Sequence, residues 1–201
     1  MHCAPRQSGS RPTGALRRTG RFGAWLLALI LGVLLPMSSL RAVEPELASF
    51  DLVHNEEGVL LGYNVNLDLS RSVDDALSKA VPLFFVAEAE LFRNRFYWRD
   101  QRVGYAVRRW RIVFQPLTST YRVTFDGGLS QNYTTRSEAF AAITRNTRWK
   151  IAEAAQIEEG SRHYVEFSFR LDTSQLPRPM QIGIGGQPEW ALVVERAQRF
   201  D

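Results

Sequence analysis

The stretch LFFVAEAELFRNRFYWRDQRVGYAVRRWRIVFQ, Leu83 to Gln115, holds two runs of apolar and aromatic residues on either side of Asp100 and Gln101. Successive side chains of a strand point to opposite faces, so this pattern predicts a hairpin with strands at Leu83–Tyr97 and Val103–Gln115 and its turn at Asp100-Gln101. Parity then sorts the side chains. Arg93, Arg95 and Arg99 share one face with Tyr97, while Phe92, Phe96 and Trp98 share the other. On the second strand Arg109 and Arg111 stand opposite Trp110, Ile112 and Phe114, and Glu88 and Glu90 offset the arginines locally. One outcome is plain packing, with aromatics inward and arginines solvated. The other is a basic patch edged with aromatics, built from Arg93, Arg95, Tyr97, Trp98, Arg99, Arg109, Trp110 and Arg111, which would bind an anionic polymer, a membrane surface or a protein. Joint exposure of Tyr97, Trp98 and Trp110 is the property that separates the two.

The alternation continues along the chain. YNVNLDL, Tyr63 to Leu69, puts apolar groups on one face and Asn or Asp on the other, and similar strands read at Ala48–His54, Tyr121–Phe125, His163–Leu171 and Trp190–Glu195. Two short helices interrupt them, Ser72–Leu77 and Ser137–Ile143, each opened by a serine cap and an acidic first turn. Leu176 to Met180 contains Pro177 and Pro179 and reads as an extended edge or crossover. The expectation is a mainly β, antiparallel sandwich-like domain with two short helices, preceded by a signal peptide.

That signal occupies residues 1–42. Arg6, Arg11, Arg17, Arg18 and Arg21 come without an acidic residue and lead into AWLLALILGVLL, Ala24 to Leu35, then Pro36 and a cleavage-like Leu40-Arg41-Ala42. The reading is an exported, periplasmic protein, anchored to the inner membrane if the segment is retained. Cleavage would remove these arginines, Arg41 and Cys3, and leave 19 basic against 21 acidic residues over 43–201, a net charge near −2. The chain's pI of about 9.6 therefore belongs to the targeting segment, and nucleic acid is excluded as a partner for want of a net positive field. Residues 43–201 number 159, enough for one domain, and contain no thiol for a disulfide or a Cys-ligated metal.

Catalytic patterns are absent from the spacing. His54 and His163 are far apart and in no ligand or nucleophile arrangement, so no metal and no cofactor is expected. His163 alternates with Val165 and Phe167 and should share their face. Glu88 and Glu90 form a same-face pair that reads as a polar face answering arginine. Gly183-Ile-Gly185-Gly186 has no helix after it and reads as a turn, not a phosphate loop.

DDALSKAVPLFF (Asp74–Phe85), RRWRIVFQPLTSTYRV (Arg108–Val123), RSEAFAAI (Arg136–Ile143), LDTSQLPRPMQI (Leu171–Ile182) and then Trp190 occur in an order that resembles a family of exported proteins of Gram-negative bacteria, a domain of unknown function often labelled "proline-rich signal peptide protein". Where that family often has Gly this chain has Ala80, which argues against a left-handed backbone there. The resemblance implies no catalytic activity and transfers no functional residue. By gene neighbourhood it implies an accessory role beside a membrane sensor histidine kinase of the nitrogen-regulation type. The expectation is a non-catalytic periplasmic binding module, possible partners being that kinase or an anionic envelope component. The alternative is an envelope lipid or polysaccharide carrier, with Phe84, Phe85, Val86 and Phe92 as walls of an apolar cavity.

Overall fold

The structure, a computed structural model, describes residues 45–184 and 186–200. The signal peptide expected over residues 1–42, with its expected cleavage site, lies outside the described residues. Among the described residues nine strands form two antiparallel sheets. The first is three-stranded, in the order β1 (Glu46–Asn55), β2 (Gly58–Asn66), β7 (Arg145–Ala152). The second runs β6 (Ser130–Tyr133), β5 (Thr120–Phe125), β4 (Gln101–Gln115), β3 (Leu83–Arg93), β8 (His163–Leu171), β9 (Val193–Phe200). Its centre is the hairpin read from the sequence, in a register that pairs Phe85 with Trp110 and Ala89 with Ala106.

Alternation explains the core. Along β3 Leu83, Phe85, Ala87, Ala89 and Leu91 are buried, and along β8 His163, Val165, Phe167, Phe169 and Leu171 are buried. These inner rows meet the small sheet through rings: Tyr63 of β2 lies 4.8 Å from Phe167 and Phe50 of β1 lies 5.6 Å from the same ring, while within the large sheet Phe85 stacks on Phe169 at 5.7 Å. Arg108 is the polar member of the inner row of β4, and its guanidinium sits 5.4 Å over the Trp149 ring of β7. Gly104 lets β4 approach β7, because a Cβ there would lie 3.0 Å from the Ala152 Cβ and 3.1 Å from the Ile151 carbonyl.

Helix α1 (Arg71–Ser78) and helix α2 (Arg136–Thr144) match the expected positions, but each cap sits two residues earlier. Ser70 Oγ accepts the Val73 N–H, and Thr135 closes a capping box with Glu138. Ser72, inside the first turn, instead donates to Glu189. After α1 the chain turns through Ala80 at φ 61°, so the left-handed backbone is present on a residue with a Cβ, contrary to the sequence reading. The turn closes with the Val81 N–H on the Ala76 carbonyl at 3.0 Å, and this is what holds Ala80 in the less favourable region.

The C-terminal third departs most. Leu176–Met180 is not extended: Pro177 and Pro179 open a third helix, α3 (Arg178–Ile184), where a missing N–H costs nothing, and the Pro177 carbonyl accepts from Met180 at 2.8 Å. Gly183 belongs to that helix. Trp190 is the buried end of a 3₁₀ turn, Pro188–Trp190, so the last strand starts at Val193 and continues to Phe200. Strands β6 and β7 are too polar at their starts to show alternation. Among the described residues no helix is long and apolar enough to cross a membrane.

Candidate functional site

Strand β3 ends at Arg93, and Asn94–Asp100 is a loop, so strand parity stops where the aromatic run begins. The expected strand to Tyr97 is therefore corrected. Phe96, Tyr97 and Trp98 are all exposed, at 87%, 85% and 80%, with Phe96 packed edge-on against Tyr97 at 4.5 Å. Trp110 is 5% exposed and packs in the core 6.2 Å from Phe169. Phe92, expected inward, stands on the outer face stacked on Tyr164 at 5.2 Å. The eight expected residues thus divide. Arg93, Arg95, Tyr97, Trp98 and Arg99 gather at the tip, while Arg109 and Arg111 lie on the outer face eight or more residues along β4, roughly 27 Å away at the rise of a strand.

The tip is fastened from below. Asp100 Oδ1 accepts the Arg95 backbone N–H at 3.1 Å, and its Oδ2 accepts the Tyr164 hydroxyl at 3.0 Å. Burial, helped by that bond to Asp100, pushes the Tyr164 phenol up to about 12, so the clamp keeps its proton through the physiological range. The Asn94 N–H donates to the Arg162 carbonyl at 2.8 Å, tying the loop to the segment before β8. Arg93 and Arg95 both donate to Gln101 Oε1, and Arg93 also pairs with Glu158. Arg102 pairs with Glu90 at 2.7 Å. Arg95 is thus held by a neutral amide, so its charge is not cancelled there, and Arg99 is exposed beside Trp98.

Away from the tip, the outer face of the large sheet carries alternating charge. Glu88 receives both guanidinium nitrogens of Arg170, at 2.5 and 3.1 Å, and the Arg170 hydrogen bond holds its carboxyl below the ordinary range despite partial burial. Sheet pairing sets Glu90 opposite Glu166 and Ser168 opposite Glu195, forming a shallow groove of about 570 Å³ lined by these four glutamates. Only the Glu88 and Glu90 half was legible in the chain; the other half depends on which strand pairs with β3. Among the described residues no cluster of three or more His, Asp or Glu side chains is arranged to hold a metal ion.

His163 does share the face of Val165 and Phe167. It is 3% exposed, stacks on Phe200 at 5.9 Å, and its Nε2 meets no protein partner among the described residues. Burial, then the nearby Arg93 and His54, pushes its pKa down. Among the described residues no carboxylate is hydrogen-bonded to it. The four expected cavity walls do not converge either: Phe85 is in the core, whereas Phe84, Val86 and Phe92 lie on the opposite face of the same strand. The space between the sheets is filled by Tyr63, Trp149, Phe167 and Phe169.

No curated protein and no solved structure matches the chain. The match that exists is to a family, over residues 42–199, and it spans both sheets, the three helices and the aromatic tip. The chain is therefore a member of the family described as "Domain of unknown function (DUF4390)".

Proposed function

We propose that the domain is a non-catalytic binding module of the cell envelope, exported to the periplasm and accessory to a membrane sensor histidine kinase, with the Asn94–Asp100 tip as its binding element. The observation that carries this reading is the joint exposure of Phe96, Tyr97 and Trp98 on a loop tied down by Asp100, Tyr164 and Arg162. Rigid aromatics flanked by arginine supply binding energy at low entropic cost, since little side-chain and loop freedom remains to be lost. The kinase enters through the gene neighbourhood that the family resemblance implies, and the basic, signal-like N-terminus supports the compartment. Trp110 drops out of the binding surface, and Arg109 and Arg111 become secondary to the tip.

The test is photo-crosslinking in cells from position 98, with position 110 as a silent control because it is buried. Capture of a discrete species from 98 and none from 110 supports a binding tip, and a kinase among the products identifies the partner. Absence of any adduct from 98, protein or lipid, overturns the proposal.

A further inference from the structure

Large apolar side chains seldom stand in water side by side, because each gives up the free energy it would gain by burial. At the tip three consecutive ones do. A groove on a protein takes side chains from one face of a segment. Here residues i, i+1 and i+2 are all exposed, so apolar surface is spread around the tip, and a fluid medium that closes around it fits better than a rigid cleft. The polar groups agree. Tyr and Trp combine an apolar body with a single polar group, the pairing that settles such rings at the headgroup level of a bilayer. Arg95 and Arg99 flank them, one bonded to a neutral amide and the other exposed, leaving cationic forks for phosphate oxygens. The carboxylates nearby are engaged elsewhere: Glu158 with Arg93, Glu90 with Arg102, Asp100 inside the loop.

We infer that the Asn94–Asp100 tip is an interfacial anchor, which seats Phe96, Tyr97 and Trp98 among the headgroups of an anionic bilayer with Arg95 and Arg99 on lipid phosphates. This rests on the reading of the tip as the binding element and names its partner. The long β3–β4 hairpin then points at the membrane, and the outer face with its glutamate groove and the sheet edges stay free for a membrane protein alongside. The charge of residues 43–201, near −2, does not oppose this, because a headgroup senses charges within about a Debye length, roughly 8 Å at physiological salt.

Trp98 provides its own reporter. Trp110, Trp149 and Trp190 are buried, so in the full chain with Trp25→Phe a spectral change on adding vesicles belongs to Trp98. The probe is vesicles of equal parts phosphatidylcholine and phosphatidylglycerol, compared with phosphatidylcholine alone. The expected result is a blue shift and loss of acrylamide quenching with the anionic vesicles, weakened by salt. Arg95→Ala with Arg99→Ala should raise the lipid concentration at half-shift by roughly thirtyfold, at about fivefold per arginine near an anionic surface. Phe96→Ser with Tyr97→Ser, leaving Trp98 as reporter, should abolish the shift. Unchanged thermal unfolding of both variants excludes misfolding. Trp98 remaining fully quenchable on the anionic vesicles overturns the inference. If it does so while position 98 still captures a protein in cells, the binding-module reading stands and the membrane assignment fails; if neither occurs, both fail.

Discussion

Trp98 and Trp110 lie twelve positions apart on one hairpin, in the same Arg-rich, aromatic-rich composition, and have opposite fates: 80% exposed and 5% exposed. The difference is the ladder. At Trp110 the pairing with Phe85 on one side and Phe125 on the other fixes which face the side chain takes, and the inner face has Phe169 waiting. At Trp98 no partner strand exists to impose a face. Composition therefore says little about a binding surface until pairing is known, and an aromatic next to arginine is core or tip according to where the hydrogen bonds stop.

The contrast breaks first under deletion of each ring. Trp110→Ala should lower unfolding free energy by about 3–5 kcal/mol, the usual cost of emptying a buried aromatic site, while Trp98→Ala should stay within about 0.5 kcal/mol. Urea denaturation of both variants checks this, and similar losses would mean the tip is part of the core. Next comes Gly104, where the hairpin leaves the tip and enters the sandwich. Gly104→Ala should cost about 1–3 kcal/mol by forcing β4 away from Ala152 and Ile151, read as a lower denaturation midpoint. Gly128→Ala, with open space around it, is the control for added bulk, although its φ of 87° adds backbone strain of its own.

The border between the two regimes is the Arg93–His163 pair, the last on β3. Because folding lowers the His163 pKa, the unfolded chain binds the proton more readily. Stability should hold above about pH 6.5, the value for a free histidine, fall as pH drops through the interval down to the folded pKa, and level off below it. His163→Phe should flatten that fall, which thermal unfolding from pH 8 to pH 5 would show. The smallest effect is at the entry to β3: Ala80→Gly should stabilise by under about 1 kcal/mol, since relief of the left-handed Ala80 is partly offset by greater freedom of the unfolded chain. A loss instead would mean that the Ala80 methyl group makes packing contacts worth more than the strain.

What could be read from the chain followed the same border. Within ladders, parity placed Trp110, Ile112, Val165 and Phe167 correctly, because a half-buried strand must alternate. Beyond them it failed: Phe96 and Trp98 were assigned a face where there is no strand, and sharing their parity put Phe92 inward although, next to the buried Leu91, it stands on the outer face. Pro177 and Pro179 looked like an edge since proline cannot donate, yet the first turn of a helix tolerates that lack equally well. The tip's residue types were legible; its fastening was not, because Asp100 to Tyr164 and Asn94 to Arg162 join segments more than sixty residues apart.

Strand β3, at the middle of the large sheet, is bonded on one side to β4, which follows it directly, and on the other to β8, so that Phe85 faces Leu171. A chain made from its N-terminus presents the hairpin and its aromatic tip early, but the inner row of β3 has only half its neighbours until β8 arrives. Closing that interval is entropically slow and leaves Leu83, Phe85 and Leu91 exposed meanwhile. Completion of this domain is thus timed by the emergence of its C-terminal strands, and a polypeptide cut short before Phe200 would carry an unfinished sheet edge.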